Sequence, residues 1–491
     1  MAYSIEQQPN KFVACNSPLV YVVKESDGAI TGAAKFRYIV QVQISTTNSG
    51  ALSTIAKLKL HKNRGGVAIV DVHKIVRTYL ETQQYNVAST TNSIHSIGVS
   101  NAATPFSNNG SQAVAIRILG GYEKASSQTA APVEELAPTG TYTTNIAVGI
   151  PATTPYTKTA TNFGGLDNGT QFPLKYFIND ASNEDDYGFL TNAPTVQFVR
   201  GSSTSGDNVD EGTICFKQGN NASSSIVTVG EKLEHIAIQY FNSAGTLIAG
   251  TSGGATVHFF ANTNTNGGAT AAQSTTVQKA ILYFGCGTKN LQTQSLSTLA
   301  RPSNFSNWAY YRIFGCTSAD IDDRCTKYYN FYRYGSGATV DDRHQSCTRY
   351  DNVRLAWRNR LGAWDYMNFR GKSIKTLSIE SSEMESVPGN WDDATENTFN
   401  YNNWSRGKKT LFKNATRKIT INSDWLNEDE SVWLEELFTS TNVQILNDDY
   451  TIIDAVVITD KAYTTKTSLN DGIKMQYTIN LEYANKVRTN S

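Results

Sequence analysis

The chain has 491 residues, of which 43 are basic and 43 acidic, so with histidine neutral it carries no formal net charge. That balance argues against coating nucleic acid or an anionic membrane, because both need a net basic field. The length allows roughly three domains of about 150 residues, with cores large enough to need no disulfide framework.

No run of about 18 apolar residues is present to span a membrane. The start, MAYSIEQQPN, lacks a basic segment followed by an apolar one, so no signal peptide is expected. The six cysteines, Cys15, Cys215, Cys286, Cys316, Cys325 and Cys347, have no pair at zinc-knuckle spacing. They are expected to be reduced thiols packed as small apolar residues.

The pattern predicts a mainly β, multi-domain protein of β-sandwich-like modules, with long polar loops and a short helix in the C-terminal domain. Residues 1–83 form the first β unit. Leu19–Val23 is a short strand, and Phe36, Tyr38, Val40 and Val42 alternate with Arg37, Ile39, Gln41 and Gln43. Apolar Ile39 on the second face predicts a strand covered on both sides for part of its length. Ile55–Leu60 is another strand. Asn63-Arg64-Gly65-Gly66 turns the chain into Val67–Val70. Asp71 is placed to cap a helix through Leu80, with Val72, Ile75, Val76, Tyr79 and Leu80 on one side.

Residues 84–225 are rich in Thr, Ser, Asn, Ala and Gly and read as long loops on a β framework, interrupted by Val114–Leu119, Gln171–Ile178, Phe189–Leu190 and Val196–Val199. Residues 226–345 return to strands at 233–241, Val257–Ala261 and Val277–Phe284. The lone histidines His235 and His258 there read as partly buried residues rather than metal ligands. All seven tryptophans follow residue 300. An aromatic and arginine-rich block over 301–350 has three readings: a core with guanidinium stacking, a protein interface, or a single-stranded nucleic-acid platform. The acidic residues Asp320, Asp322, Asp323, Asp341 and Asp342 threaded through it weigh against the last.

Residues 346–491 are the C-terminal strand–helix–meander domain. Val353–Arg358 and Trp364–Phe369 alternate around Asn359–Ala363 and predict a hairpin. Ala415–Ile421 is a strand. Asn427 is an N-cap with Glu430 completing a capping box, before a helix over about 428–438 with Val432, Trp433, Leu434, Leu437 and Phe438 on its apolar face. Val443–Leu446, Thr451–Thr459 and a last strand follow. In that strand Ile473, Met475, Tyr477, Ile479, Leu481 and Tyr483 alternate with polar residues.

No catalytic or cofactor motif is complete. Gly371-Lys372-Ser373 has Tyr366 where a phosphate-binding loop needs glycine, and neither G-x-G-x-x-G opening a helix nor H-E-x-x-H occurs. Gly250–Gly254 matches G-x-S-x-G but a strand follows it, so it reads as a turn. Asp341-Asp342-Arg343-His344 and the acidic turns Asn183–Asp186, Asp207–Glu211 and Asn447–Asp449 read as solvated loops, none with EF-hand spacing. The expectation is a non-enzyme without cofactor or metal.

The segment Cys347–Phe369, CTRYDNVRLAWRNRLGAWDYMNF, resembles a motif of virion structural proteins of tailed bacteriophages. The match lies in Cys347, Tyr350, Trp357, Asn359, Arg360, Leu361, Gly362, Trp364, Asp365 and Tyr366. WLNEDESVWLEELFTSTNVQIL and IKMQYTINLEYAN are similar to later signatures of the same group, and Gly188–Pro194 and Cys286–Leu291 are weaker echoes. The resemblance implies a structural role for Trp357, Asn359, Arg360, Gly362, Trp364 and Asp365. It also implies a homo-oligomeric virion part made in the host cytoplasm. Such a part assembles with other tail, neck or capsid proteins into a tail, neck or baseplate ring, meeting nucleic acid only by its passage through the ring. A receptor-binding fibre or capsid decoration protein is the alternative. The loops of 84–225 and the block of 301–350 are the expected contact surfaces.

Overall fold

In the computed structural model, residues 3–9, 12–45, 52–82, 94–97, 106–107, 113–136, 147–153, 189–201, 209–217, 233–250, 254–262, 281–293, 308–334, 350–392, 394, 397–401, 407–447, 453–464, 475–485 and 487–489 are described. The protein is mainly β, with several antiparallel and mixed sheets. It divides into two compact units. The first comprises Met1–Ser346 with Arg358–Tyr366, and the second Cys347–Trp357 with Met367–Ser491.

The first unit contains two sandwich-like cores. In one, the long strand Ala34–Ser45 pairs with the edge strand Ser53–Leu60 on one side and with the middle strand Val114–Ala125 on the other. A three-stranded sheet of Tyr3–Gln7, Val20–Glu25 and Val67–Asp71 shares its core. Tyr38, Val40, Val42, Val114 and Ile116 from the larger sheet pack with Tyr21, Val23 and Val70 from the smaller. Ile39 is fully buried, which is the two-sided cover its apolar character predicted. The helix runs His73–Thr82 and buries Val72, Val76 and Leu80. Asp71 belongs to the preceding strand rather than the cap position. Its carboxylate accepts from the His73 and Leu19 backbone N–H groups and so ties the helix start to the sheet.

The other core lies between a five-stranded sheet, ordered Val196–Arg200, Tyr329–Tyr334, Tyr310–Cys316, His235–Phe241 and His258–Ala261, and a three-stranded sheet of Thr213–Lys217, Ile281–Gly285 and Phe106–Ser107. His235–Phe241 is buried along nearly all its length, so its alternation does not mark a wet face. The described part of the aromatic block is core here. Trp308 and Tyr311 are fully buried, Tyr311 stacks on Phe331 at 5.0 Å, and the Arg333 guanidinium lies 5.0 Å from the Trp308 ring centre. The described cysteines, Cys15, Cys215, Cys286, Cys316 and Cys325, are all buried.

His235 and His258 sit edge-on to Phe259 and Phe260. Burial holds both imidazoles below their ordinary value, with Glu234 partly opposing the fall at His235. A depressed folded pKa means that the fold favours the neutral ring. Stability is then complete above the unfolded value of 6.5 and declines as pH falls through it. Urea midpoints are expected to fall from about pH 7 to about pH 5, and His258→Gln to make that fall shallower.

The second unit is built on a sheet ordered Trp364–Phe369, Val353–Arg358, Val443–Leu446, Ile453–Ile458, Thr478–Tyr483, Lys408–Asn422 and Ile374–Glu385, with Val487–Thr489 also on Lys408–Asn422. Its first two strands form the hairpin that the unit division cuts. The helix is Glu428–Thr439. Asn427 accepts from the Glu430 N–H at 2.7 Å, and Glu430 accepts in return from the Asn427 N–H at 2.8 Å. Trp433, Leu434 and Leu437 are buried, but Val432 is exposed, one step round from the face the sequence assigned to it. The strand predicted to be last is Thr478–Tyr483, and Val487–Thr489 follows it. Met475 joins Leu426 by a separate bridge, and Met475, Tyr477, Ile479 and Leu481 face the core.

Candidate functional site

The hairpin is where the sequence motif lies. Its strands, Val353–Arg358 and Trp364–Phe369, match the predicted spans, but both faces are buried rather than one. Asn359 organises the turn. Its Oδ1 accepts from the N–H groups of Leu361 and Ala363, while its Nδ2 donates to the Leu190 carbonyl at 2.9 Å and to Asp365 at 3.0 Å. Those four partners define which way the amide points. Asp365 also accepts from the Thr191 hydroxyl at 2.6 Å. Beside it, Tyr366 Oη lies 2.7 Å from Thr213 Oγ1 and 2.8 Å from His95 Nδ1. The His95 ring stands edge-on to Trp364. Asn290 continues the network, donating to the carbonyls of His95 and Ile97.

A buried His, Tyr, Thr and Asp in contact resemble a proton relay at first sight. Asn359, Asp365, Tyr366, His95 and Thr213 are each no more than 8% exposed, and the bonds described above tie them to backbone groups, to one another and to Thr191. The arrangement satisfies buried polar groups and specifies the turn. Of the motif residues, Asn359, Gly362, Trp364 and Asp365 meet in this hub. Arg360 is exposed at the turn, its carbonyl accepting from the Thr153 N–H. Trp357 belongs to the second unit and packs on Trp433 at 4.9 Å.

Gly362 has φ +83°, and a Cβ there would lie 2.9 Å from the Pro151 carbonyl oxygen. Gly362→Ala therefore combines a left-handed backbone with a backbone clash. A loss of about 1–3 kcal/mol is expected in urea unfolding.

Of the acidic turns Asp207–Glu211 and Asn447–Asp449, Asp207, Asp448 and Asp449 lie outside the described residues. Asp210 accepts from the backbone and side chain of Arg200. Asn447 donates to Asp454. Among the described residues no group of three or more His, Cys, Asp or Glu side chains is placed to hold a metal ion, and no helix is long and apolar enough to cross a membrane. Gly250–Gly254 is described only at its ends. Asn183–Asp186, Gln171–Ile178, Asp341–His344, Cys347 and most of the expected loop surface of 84–225 lie outside the described residues.

The exposed apolar surface is elsewhere. Ile374–Glu385 pairs with Lys408–Asn422 as a ribbon at the edge of the sheet, with Thr478–Tyr483 and Val487–Thr489 on the other side of 418–422 and 413–415. At its far end Asn390–Asp392 pairs with Thr398–Asn400. Ten of the twelve residues in Ile374–Glu385 are exposed. Leu377, Ile379, Trp391, Phe399, Leu411 and Phe412 are all at least 48% exposed, and Trp391 and Phe399 are cross-strand partners. Apolar side chains exposed together along a sheet edge mark an interaction surface. Neither the 84–225 loops nor the aromatic block supplies a comparable cluster among the described residues. Of this ribbon the sequence predicts only Ala415–Ile421, within Lys408–Asn422, as a strand. Its local signal is ESSEME before a Gly/Asn/Trp-rich turn and KKTLFK after it, an acidic strand answered by a basic one.

No protein-family model and no curated protein matches the chain. The ribbon and the hub therefore bear on function through their own chemistry.

Proposed function

We propose that the protein is a self-assembling structural subunit of a tailed-phage virion, forming a ring or collar in the tail, neck or baseplate. The exposed ribbon carries this reading. A subunit that works alone gains nothing from holding Leu377, Ile379, Leu411 and Phe412 in water, whereas an assembly subunit covers them on docking. The motif resemblance at Trp357–Tyr366 points the same way. The buried hub, in which Asn359 holds the turn and Asp365 and Tyr366 bond to distant strands, supports a structural role for the motif. Partners on this reading are further copies and neighbouring tail, neck or capsid proteins, met after synthesis in the host cytoplasm. Mass spectrometry and electron microscopy of purified particles test it. The chain is expected as a stoichiometric component, and its absence from particles would overturn the proposal.

The Trp391–Phe399 pair favours one alternative, a receptor-binding or decoration protein with an aromatic platform for sugars. Binding on a glycan array that Trp391→Ala abolishes would select it.

A further inference from the structure

The five-stranded sheet of the first unit buries Tyr311, Ile313 and Phe331 on its inner face. The alternate residues of the same strands carry a second set of rings on its outer face. Phe241, Tyr310 and Tyr332 are register partners across three adjacent strands. The Phe241 and Tyr310 rings stack at 4.6 Å and 3°, and those of Tyr310 and Tyr332 at 4.7 Å and 24°. That spacing matches the distance between strands, about 4.8 Å. The rings therefore stand up from the sheet, their faces turned to one another and their edges outward. In the next row of the same face, Arg312 lies between Asn330 and Gln239. Its guanidinium is 4.7 Å from the Phe241 ring centre and 4.3 Å from that of Tyr328, and its Nε donates to Asn330 Oδ1 at 3.1 Å. Tyr310, Tyr332 and Arg312 are half-buried. Among the described residues no carboxylate pairs with Arg312, and neither of its Nη groups has a hydrogen-bond partner. The side-chain amide of Gln239, a residue only 6% exposed, also has no described partner.

We infer that this face binds an acidic protein segment, with an aspartate or glutamate carboxylate of the partner taken by the two Nη groups of Arg312. A guanidinium held between rings is oriented in advance, and its planar fork matches a carboxylate in bidentate geometry. The surroundings favour an anion as well. Aromatic rings are negative on their faces and positive at their edges, so the standing rings turn their positive rims outward beside the cation. The Tyr310 hydroxyl adds a donor. Burial pushes its pKa up, Tyr332 adds to the rise and Arg312 opposes it, which agrees with the three groups lying close together. The ladder also decides between classes of partner. Nucleobases and sugar rings settle on aromatic faces, and both faces of Tyr310 are already covered by its neighbours. A carboxylate needs only the fork, and a buried arginine flanked by tyrosine is the composition of a protein-interface anchor. The site lies within the first unit and depends neither on the ribbon nor on the virion reading.

Fluorescence anisotropy of a labelled hexaglutamate peptide, titrated with the full chain, tests this. Hexaglutamate is expected to bind and hexaglutamine not to bind. Arg312→Gln is expected to weaken hexaglutamate about tenfold or more, the effect of losing a bidentate charge-assisted pair. Arg312→Lys is expected to recover only part of that loss, because an ammonium keeps the charge without the fork. Tyr310→Phe keeps the ladder and removes one hydroxyl. It is expected to weaken hexaglutamate by a smaller factor, and it carries the test if the arginine variants melt below the wild type. A wild type that ignores hexaglutamate, or binds hexaglutamine equally well, would overturn the site, as would Arg312→Gln or Tyr310→Phe proteins that bind as the wild type does. Tri-galacturonate or a hexathymidine oligonucleotide bound more tightly than hexaglutamate would overturn the assignment to an acidic protein segment.

Discussion

Replacing Trp357 with alanine is expected to cost about 3–5 kcal/mol, the range for emptying a fully buried aromatic site. Trp357 is 0% exposed and sits on the strand paired with Val443–Leu446, its ring tilted at 45° against Trp433 of the capped helix. The change removes the contact that seats this helix on its sheet. A drop in melting temperature of about 10 °C is the expected reading, at roughly 2–4 °C per kcal/mol for a unit of this size. Trp357→Phe retains a ring and is expected to lose less than half as much. A Trp357→Ala protein that melts with the wild type would show that the tryptophan is not what holds the helix.

Asn359→Ala is expected to have a comparable effect, about 3–5 kcal/mol, through a different cause. Four hydrogen bonds go at once, and the buried Leu190 carbonyl and Asp365 carboxylate each lose a donor. Asn359→Asp separates the two halves of that role. It keeps an acceptor for the Leu361 and Ala363 N–H groups but sets a carboxylate against Asp365 and the Leu190 carbonyl, where like charge is unfavourable. It is expected to be at least as destabilised as the alanine variant in urea titrations. Wild-type stability in Asn359→Asp would mean that the two Nδ2 donations contribute nothing and that the turn alone matters.

Local features were legible wherever one residue's chemistry decides the structure within a few positions. Asn427 and Glu430 announce their capping box, Asn63 to Gly66 their turn, and Val353–Phe369 its hairpin, because each partner lies within one turn or one loop. What lay beyond reach was non-local. Nothing around Asp365 indicates Thr191, and nothing around Tyr366 indicates His95 or Thr213, since these meetings depend on how distant strands stack. The ribbon escaped for the opposite reason. Periodicity reports a strand by the contrast between a wet face and a dry one, and Ile374–Glu385 is wet on both. Its apolar residues at 374, 377 and 379 follow no two-residue period. Val432 shows the limit of a helical face read from sequence: it is apolar and adjacent to the buried stripe, yet rotated out of it. The histidines and cysteines read as packing residues because no neighbour completes a ligand set at close spacing. The packing of His258 on Phe260 supplies the physical reason for their type.

The hub described around Tyr366 also sets a clock on folding. Its bond to His95 joins positions 271 residues apart, and that of Asn359 to Leu190 joins positions 169 apart. At ribosomal rates of about 5–20 residues per second, His95 precedes Tyr366 by roughly 15–55 s. Throughout that interval the nascent chain holds His95, Leu190, Thr191 and Thr213 without the segment that completes their bonding. The first unit can therefore reach its finished state only after some three-quarters of the polypeptide has been made, and contacts of such long sequence separation slow its folding.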